Sequence, residues 1–332
     1  MGVLPCAPSL TQILEAARIL RPLLPATPLR TFPVLNRMLG GEIWLKLEAW
    51  QPTGSFKVRG ALARLAHLTP EERTRGVVTA SAGNHGLAVA YAARLLGGIP
   101  TTVFVPETAA RNKIRALEAF EVQLKRVGQS YAEAHEAAQA FAASTGACDI
   151  HAYEDLWVVA GQGTIALEIL NELPQADAVL VPVGGGGLIS GIATVYQALS
   201  PQTRIIGVQT EASPALAASL RDGQLYADYP AGPTLADGLA GGVGALAYHL
   251  ARQGAIHEVA VVREETLLQA IGLLAVEAHL IVEGSGAVGL AALLEDAERW
   301  KGRSVVLILS GGNLDGEILQ RAVTAFLAGD LR

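Results

Sequence analysis

Short apolar runs rich in β-branched residues recur along this chain and alternate with segments of helical periodicity. Leu87, Ala90 and Tyr91, for example, fall on one face of a helix. The apolar runs predict the following strands: Glu42–Leu47, Gly76–Ala80, Thr101–Val105, Val122–Val127, Ala178–Val183, Arg204–Gln209, His257–Val262 and Ser304–Leu309. Because strands that alternate with helices form parallel sheets with helices on both faces, the pattern predicts an α/β fold.

Three glycine-containing segments come directly after predicted strands. These segments are Ser81–Gly86, Gly184–Gly187 and Ser310–Asn313. Open α/β sheets bind their ligands at the carboxyl ends of parallel strands. The sequence therefore predicts that the three segments meet in one ligand site.

Composition narrows the class of protein. The chain has 332 residues, of which 51% are hydrophobic, and a net charge of −6. This length suggests about two domains, and the negative charge argues against nucleic acid or an anionic membrane as the main partner. Cys6 and Cys148 are the only cysteines. They provide neither a disulfide framework nor a cysteine metal site, so we expect a reducing compartment, the cytoplasm.

Two segments bear on targeting and membrane insertion. Met1–Leu10 lacks a basic region followed by an apolar core, so no signal peptide is expected. Ala178–Ser200 carries no formal charge, but it contains Pro182 and the glycine run Gly184–Gly187. We expect it to divide into a strand, a turn and a helix rather than to span a membrane.

Lys57 is the first candidate for chemistry. It follows Phe56, and a Thr-Gly-Ser turn at Thr53–Ser55 leads it into an apolar helix. An amine at such a helix start loses its proton more easily than an exposed amine and is then a nucleophile for Schiff-base formation. A lone lysine of this kind more often extends from a helix end into solvent, so the other motifs decide between these interpretations.

The glycine run Gly184–Gly187 leads through Leu188 into a predicted helix. Backbone without side chains approaches an anion closely, and a helix start holds phosphate through its free N–H groups. The alternative is a tight turn without a ligand. A dinucleotide site is less favoured, because the spacing is not Gly-x-Gly-x-x-Gly and no acidic residue follows where a ribose would need it.

The other two segments supply oriented hydrogen-bond donors. Ser81–Gly86 offers a hydroxyl, an amide and backbone N–H groups at a helix start, which suit a carboxylate. His85 taken alone is more often structural than catalytic. Ser310 can donate to a ring nitrogen or, alternatively, cap the next helix.

A lysine amine, a phosphate site, a carboxylate loop and a partner for a ring nitrogen together indicate pyridoxal 5′-phosphate. Many enzymes place an Asp or Arg at the pyridine nitrogen of this cofactor. A serine hydroxyl such as that of Ser310 does not keep the nitrogen protonated, so the ring is a weaker electron sink. This favours rapid departure of a β-leaving group over transamination.

These motifs resemble the serine/threonine dehydratase (threonine deaminase) branch of the pyridoxal-phosphate enzymes of fold type II, the tryptophan synthase β-like family. The resemblance covers nearly the whole chain. It rests on Lys46–Ala61, Ser81–Gly86, Ala160–Thr164, Val181–Gly191, Thr234–Gly238, Glu283 and Leu309–Asp315.

The resemblance implies a role for each site residue. Lys57 forms the Schiff base with the cofactor and later acts as the α-proton base. Phe56 and Asn84 are implied to lie beside the ring, with Asn84 bonded to the 3′-oxygen, and Ser310 is implied to meet the pyridine nitrogen. Glu283 and Gly311 are further implied cofactor contacts. The implied phosphate contacts are Gly184, Gly185, Gly186, Gly187 and Leu188. The substrate carboxylate is implied to bind the loop Ser81, Ala82, Gly83, Asn84 and His85.

Departures from the family pattern refine the chemistry. Related serine racemases carry a second serine where this chain has Ala82, so we expect little racemisation. No metal site is expected: Glu211 and Ala215 match the family's cation site, but the third position is Ala217, and hard cations need several oxygen ligands. Tyr131 replaces a substrate-binding arginine of some racemases. Since the chain ends at Arg332, no isoleucine-regulated domain is expected either.

The sequence thus predicts β-elimination from an L-β-hydroxy amino acid, threonine or serine, to a 2-oxo acid and ammonia. The alternatives are a β-replacing or threonine-synthase-like enzyme, a dehydratase for phenylserine or hydroxyaspartate, and a non-catalytic ligand sensor. Trp50 and Trp157, the latter just before a predicted turn at Ala160–Thr164, either line the substrate pocket or serve ordinary packing.

The resemblance also implies the domain arrangement. It predicts two open twisted α/β domains with the cofactor between them. Residues 1–74 and 151–332 form the large domain, and residues 75–150 form a small mobile domain that carries the carboxylate loop. The expected assembly is a homodimer or a higher homo-oligomer.

Overall fold

A computed structural model describes residues 6–329 of the chain. The start of the segment considered for a signal peptide, Met1–Pro5, and the chain end at Arg332 lie outside this range. The strands are β1 (Leu29–Thr31), β2 (Glu42–Lys46), β3 (Val77–Ala80), β4 (Thr101–Val105), β5 (Gln123–Arg126), β6 (Cys148–Asp149), β7 (Ala178–Pro182), β8 (Arg204–Thr210), β9 (Glu258–Val262) and β10 (Ser304–Ile308).

Helices connect nearly all of these strands, as the sequence pattern predicted. The helices are α1 (Leu10–Leu20), α2 (Pro33–Leu39), α3 (Lys57–Ala66), α4 (Pro70–Arg75), α5 (Asn84–Leu95), α6 (Arg111–Glu118), α7 (Tyr131–Thr145), α8 (Leu156–Glu172), α9 (Gly187–Leu199), α10 (Ala215–Asp222), α11 (Ala245–Arg252), α12 (Glu264–Glu277), α13 (Gly284–Glu295), α14 (Ala297–Trp300) and α15 (Gly316–Ala328). Two 3₁₀ turns lie at Glu48–Trp50 and Asp237–Leu239.

Two sheets organise the described part of the chain. The first has six strands in the order β1-β2-β10-β7-β8-β9, and only β1 runs antiparallel to its neighbour. The second has four parallel strands in the order β5-β4-β3-β6. Every strand predicted from the sequence is present, with ends shifted by a residue or so, and the predicted α/β fold is confirmed.

Two strands of the structure were not predicted from the sequence. β1 has only three residues and β6 only two, which is too short for an apolar alternation to show. Each is stabilised by its neighbour: Leu29 pairs with Lys46 of β2, and Cys148 pairs with Val77 of β3. Pairing across the sheet, not local sequence, defines them.

The segment Ala160–Thr164, predicted as a turn, instead lies inside α8. Its glycines serve close packing between helices. A Cβ on Gly161 would lie 2.6 Å from the carbonyl oxygen of Arg59 in α3, and one on Gly163 would lie 3.0 Å from that of Gly191 in α9. The turn interpretation was wrong because glycine permits close backbone approach within a helix as well as a turn.

Buried charges join α3 to the large sheet. Arg59, two residues after Lys57, is 2% exposed and donates to Glu48 (2.8 Å) and to Glu168 (2.6 Å). Lys46 of β2 donates to Glu168 at 2.6 Å. Burial alone would raise the pKa of Glu48, but the Arg59 guanidinium together with Lys46 and Thr27 outweighs it and holds that pKa below its usual range. The pairs fix the first turns of α3 against β2 and α8.

The uncharged segment Ala178–Ser200 forms β7, the glycine turn and α9, as predicted. In the range that the structure describes, no helix combines the length and the apolar character needed to cross a membrane.

Candidate active site

Lys57 begins α3 at the point where two distant loops are joined. Phe56 N–H donates to the carbonyl oxygen of Ser310 at 3.0 Å, and Gly312 N–H donates to that of Gly54 at 2.8 Å. Ser55 and Gly311 form an isolated antiparallel bridge between these bonds. The loop that follows β10 therefore fixes the start of α3, and brings Ser310 and Gly311 beside Phe56 and Lys57.

The amine of Lys57 occupies an apolar setting with one polar contact. Its Nζ lies 5.2 Å from the centre of the Phe56 ring and donates to the carbonyl oxygen of Ala152 at 3.2 Å. Burial lowers the pKa of Lys57 to about 8, against the opposing charge of Glu283. A substantial fraction of the amine is thus neutral near physiological pH, as a nucleophile or a base requires.

The turn that contains Ala152 also reaches the glycine run. Tyr153 packs over this run so closely that a Cβ on Gly185 would lie 2.2 Å from the tyrosine ring. A Cβ on Gly187 would lie 2.9 Å from the Tyr153 backbone, and Gly186 has φ +91°, a left-handed conformation. These positions require glycine, and they bring the run next to the turn that holds Lys57.

The glycine run is built as an anion site. It leads from β7 into α9, which begins at Gly187 and has Gly186 as its N-cap. The first N–H groups of a helix have no partner within it, and the helix dipole adds positive potential there. Leu188 is buried in the core beneath α9 and contributes its backbone to this turn.

Asn84 connects the second sheet to the large sheet. Its Nδ2 donates to Glu283 Oε1 at 2.7 Å, and its Oδ1 accepts from Asn313 Nδ2 at 2.7 Å. Glu283 N–H donates to the carbonyl oxygen of Gly311 at 3.0 Å. Asn84, Glu283 and Gly311 therefore form one contiguous polar group with the Ser310 loop.

Glu283 is 7% exposed, and burial raises its pKa to about 7. The nearby Asp237 raises this pKa further, while the bond from Asn84 opposes the shift. Near neutral pH, the Glu283 carboxyl group is therefore protonated in some of the molecules and ionised in the others. Ser310 is 3% exposed and its hydroxyl makes only a long contact, 3.4 Å, to the carbonyl oxygen of Ser285. Such a hydroxyl is readily redirected to a ligand atom.

Asn84, the first residue of α5, links the loop before this helix to the polar group. Ser81 Oγ accepts from Gly83 N–H at 3.2 Å, and Ala82 packs against an apolar cluster of the second sheet. His85 is buried, and its Nε2 donates to the carbonyl oxygen of Ile150 at 2.8 Å. The His85 side chain thus bonds to backbone. Any contact of this loop with a carboxylate would come from backbone N–H groups and Ser81.

The positions considered for a cation are occupied by other contacts. Glu211 Oε1 accepts from Glu264 N–H at 3.1 Å, and Ala215 is fully buried at the start of α10. Within residues 6–329, no three His, Cys, Asp or Glu side chains group as metal ligands would.

The two candidate pocket tryptophans lie in different settings. Trp157 stacks on His67 with ring centres 3.3 Å apart, so it serves the packing of α8 against α3. Trp50 is 60% exposed. Tyr131, at the start of α7, is 51% exposed and stacks on His135 with ring centres 5.7 Å apart.

Sequence reasoning missed three residues that shape the site. Ala152 and Tyr153 carry no motif of their own and become important only because the fold brings them to Lys57 and Gly185. Asn313 lay in a quoted motif without a role. It fixes the Lys57 loop, since its Nδ2 also donates to the carbonyl oxygen of Thr53 at 2.9 Å. The Ser-Gly-Gly-Asn spacing was the available signal.

The residues present fit pyridoxal phosphate. A glycine run that a single Cβ would block, at the start of a helix, suits the phosphate. The Lys57 amine suits the aldehyde carbon, and the weakly bonded Ser310 hydroxyl suits the ring nitrogen. Lys57 and the glycine run both contact the Ala152–Tyr153 turn, as a ligand that spans both requires.

Comparisons with known proteins agree with this geometry. The profile of the family described as pyridoxal-phosphate dependent enzyme matches residues 20–311. An L-threonine ammonia-lyase of Thermotoga maritima is 44% identical over 317 residues, 95% of this chain and 78% of that protein.

Solved structures show the same fold. Maize serine racemase superposes with a TM-score of 0.90 at 32% identity, covering 97% of this chain and 98% of that chain. The processed form of threonine deaminase isoform 2 from Solanum lycopersicum superposes with a TM-score of 0.87 at 30% identity, covering 99% of this chain and 93% of that chain. The predicted resemblance is confirmed: the chain belongs to the family of pyridoxal-phosphate-dependent enzymes of fold type II.

Proposed function

We propose that the protein deaminates L-threonine by pyridoxal-phosphate-dependent β-elimination, with L-serine as a second substrate. The reaction removes the α-proton and the β-hydroxyl as water. The enamine that is released takes up water to give ammonia and a 2-oxo acid, 2-oxobutanoate from threonine. The observation that carries the proposal is the buried Lys57 amine, which donates to the carbonyl oxygen of Ala152 in the turn whose Tyr153 packs on the glycine run. Burial lowers the pKa of this amine to about 8.

The roles of the side chains follow from their positions. Pyridoxal phosphate, when bound, supplies the electron sink for the pair left at the substrate α-carbon. Lys57 Nζ takes the α-proton, and its apolar setting lowers its pKa enough that part of the amine is unprotonated and free to accept that proton. Ser310 donates a hydrogen bond without adding a charge, which limits carbanion build-up and favours loss of the β-hydroxyl.

The domain division also belongs to this proposal. We infer that residues 75–150 move toward the larger part of the chain when substrate binds, since they carry Ser81–Gly83 and Asn84. Asn84 already bonds to Glu283 across the two sheets. Closure would exclude water from the reacting atoms. A homodimer in the cytoplasm stays a prediction.

A substrate panel tests the proposal. Purified holoenzyme is supplied with threonine, serine, phenylserine and hydroxyaspartate, and the release of 2-oxo acid is measured. We expect the highest kcat/KM for threonine and a loss of at least about a thousandfold in Lys57→Ala. Full turnover in Lys57→Ala, or no 2-oxo acid from any substrate, would refute the assignment.

A second measurement separates the alternatives. Added thiol or O-phosphohomoserine reveals a β-replacing or threonine-synthase-like enzyme through the replacement product. Chiral analysis of the remaining serine reveals racemisation, which we expect to be minor because Ala82 has no group that transfers a proton. A protein that binds the cofactor but turns over no substrate would be a ligand sensor.

A further inference from the structure

His151 lies next to the residues that hold Lys57, although no motif or resemblance assigns it a role. Its Nδ1 accepts two hydrogen bonds from consecutive backbone groups, the N–H of Tyr153 at 3.3 Å and the N–H of Glu154 at 3.1 Å. An atom that accepts from two N–H donors carries no proton. The imidazole is therefore neutral here, with its hydrogen on Nε2.

The turn closed by these two bonds, Ala152–Glu154, has three attachments. Ala152 presents its carbonyl oxygen to Lys57 Nζ at 3.2 Å. Tyr153 packs over Gly185 and Gly187. Glu154 Oε1 accepts from Ala245 N–H, at the start of α11, at 3.0 Å. One short turn thus contacts the amine, the glycine run and the helix beside that run.

We propose that His151 is a positioning residue: its Nδ1 holds the Ala152–Glu154 turn in the shape that sets Lys57 and the glycine run at the spacing the cofactor needs. A proton on Nδ1 would replace an acceptor by a donor facing two N–H groups. The turn would then open, and both the contact to Lys57 and the packing on Gly185 would be lost together.

The surroundings of His151 keep it neutral. Burial lowers its pKa below the ordinary value of 6.5, and His135 and Lys57 lower it further, while Glu154 and Asp149 oppose the shift. The His135 ring, on α7, lies 5.8 Å from that of His151, and the Tyr153 ring lies 4.6 Å away on its own loop. Tyr131 stacks on His135, and buried His85 is a further titratable group that interacts electrostatically with His151. Protonation therefore requires a pH below about 6.5.

Two substitutions at His151 separate the effect of the Nδ1 hydrogen-bond acceptor from the effect of the volume of the ring. His151→Asn keeps an acceptor oxygen at nearly the position of Nδ1, and this oxygen does not protonate. His151→Ala removes the acceptor. His257→Ala is a matched control. His257 directly precedes β9 of the large sheet, and its Nδ1 also accepts a backbone hydrogen bond, from Ile205 N–H at 3.1 Å.

The readout is the dissociation constant of pyridoxal phosphate for enzyme freed of cofactor, measured by titration near pH 8. We expect His151→Ala to weaken binding by on the order of tenfold or more, as the loss of two backbone hydrogen bonds implies. His151→Asn should stay within about threefold of the wild type, and His257→Ala should bind normally even if it unfolds more easily. Equal affinities of His151→Ala and His257→Ala would overturn the proposal.

The pH dependence provides a second test that does not need the alanine variant to fold. Protonation of Lys57 affects wild type and His151→Asn alike. The ratio of their dissociation constants therefore isolates the effect of protonating His151. We expect wild type to lose affinity relative to His151→Asn as the pH falls below about 6.5. A ratio that stays constant over the whole acid range in which both proteins remain folded would contradict the proposal.

The inference rests on the proposed function for its meaning in catalysis, but its test measures cofactor affinity alone. If the protein binds pyridoxal phosphate and does not deaminate threonine, the proposed function fails while the His151 test still gives its answer.

Discussion

Lys57 donates from Nζ to the carbonyl oxygen of Ala152, 95 positions further along the chain, at a distance of 3.2 Å. This carbonyl is the polar partner of an amine that otherwise faces Phe56. Burial makes the ammonium form costly, while the charge of Glu283 partly restores it, so that the pKa of Lys57 settles at about 8.

We predict that cofactor-free enzyme captures pyridoxal phosphate with a rate constant that rises with pH up to about 8 and then levels off. Only the neutral amine attacks the aldehyde, and its fraction stops increasing above its pKa. Stopped-flow absorbance between about pH 6 and 10 measures the profile. An ordinary lysine would continue to accelerate toward about pH 10.4, and that result would contradict the lowered pKa. Lys57→Ala, which has no amine at this position, gives the background absorbance change.

Glu283 makes the folded state less stable as the pH rises. Its pKa is about 7 in the folded protein and 4.5 ordinarily, so between these values the folded state keeps a proton that the unfolded chain has released. The free energy of unfolding of wild type relative to Glu283→Gln should therefore fall by up to about 1.4 kcal/mol per pH unit in this window, and not outside it. Urea unfolding at several pH values measures this difference.

The control for Glu283 is Glu298→Gln. The Glu298 side chain is 81% exposed. The free energy of unfolding of wild type relative to Glu298→Gln should therefore not change with pH across the same window. If Glu283→Gln gave an equally flat difference, the buried carboxyl would already be charged near pH 5, and its assigned pKa would be wrong.

Gly185→Ala should weaken cofactor binding by on the order of tenfold, since overpacking of this size costs about 1–3 kcal/mol. The new Cβ would lie 2.2 Å from the Tyr153 ring, so the ring or the glycine run must shift. Equilibrium dialysis with pyridoxal phosphate measures the loss. Adding Tyr153→Ala should recover part of it, which would identify the clash as the cause.

Gly316→Ala is the matched control for this experiment, because nothing lies within 4 Å of a Cβ at that position. It should bind the cofactor as wild type does. Unchanged affinity in Gly185→Ala would show that the ring moves at little cost and that glycine is not required there.

Arg59→Met should lower the free energy of unfolding by about 3–5 kcal/mol, because it leaves buried carboxylates without their partner. Glu48 loses its bonds to Arg59, and Glu168 loses Arg59 but keeps Lys46 and the N–H of Thr27. Arg221→Met, whose side chain is 73% exposed, should leave the free energy of unfolding nearly unchanged, because solvent screens its ion pair with Asp222. Urea unfolding of both variants makes the comparison. A loss below about 1 kcal/mol in Arg59→Met would mean that the network contributes little.

Much of the fold was predictable, because a buried parallel strand is a local apolar run between helices. β1 and β6 were not, since their few residues become strands only by pairing with β2 and β3. The Ala160–Thr164 segment shows the opposite failure. Its glycines suggested a turn, but their reason is the close contact of α8 with α3 and α9, which only the packed structure shows.

The candidate site was predictable where a motif carries its own chemistry. The Ser310 loop lies beside Phe56 and Lys57, and the glycine run contacts the turn that accepts from the Lys57 amine. The bond between Asn84 and Glu283 spans 199 positions and depends on how the two sheets face each other. The turn of Ala152 and Tyr153 has no distinctive residue type, so no local pattern indicated it. The roles assigned to individual site residues stay predictions until variants are measured.

The position of β10 also limits when a newly made chain can form the contacts of the site. This strand is synthesised after β2 and β7 but lies between them, and the loop behind it anchors Phe56 and Glu283. A nascent polypeptide still lacking Ser304–Ile308 has a gap in the middle of its larger sheet. The contacts that hold Phe56 and Glu283 therefore cannot form before this last strand has been made.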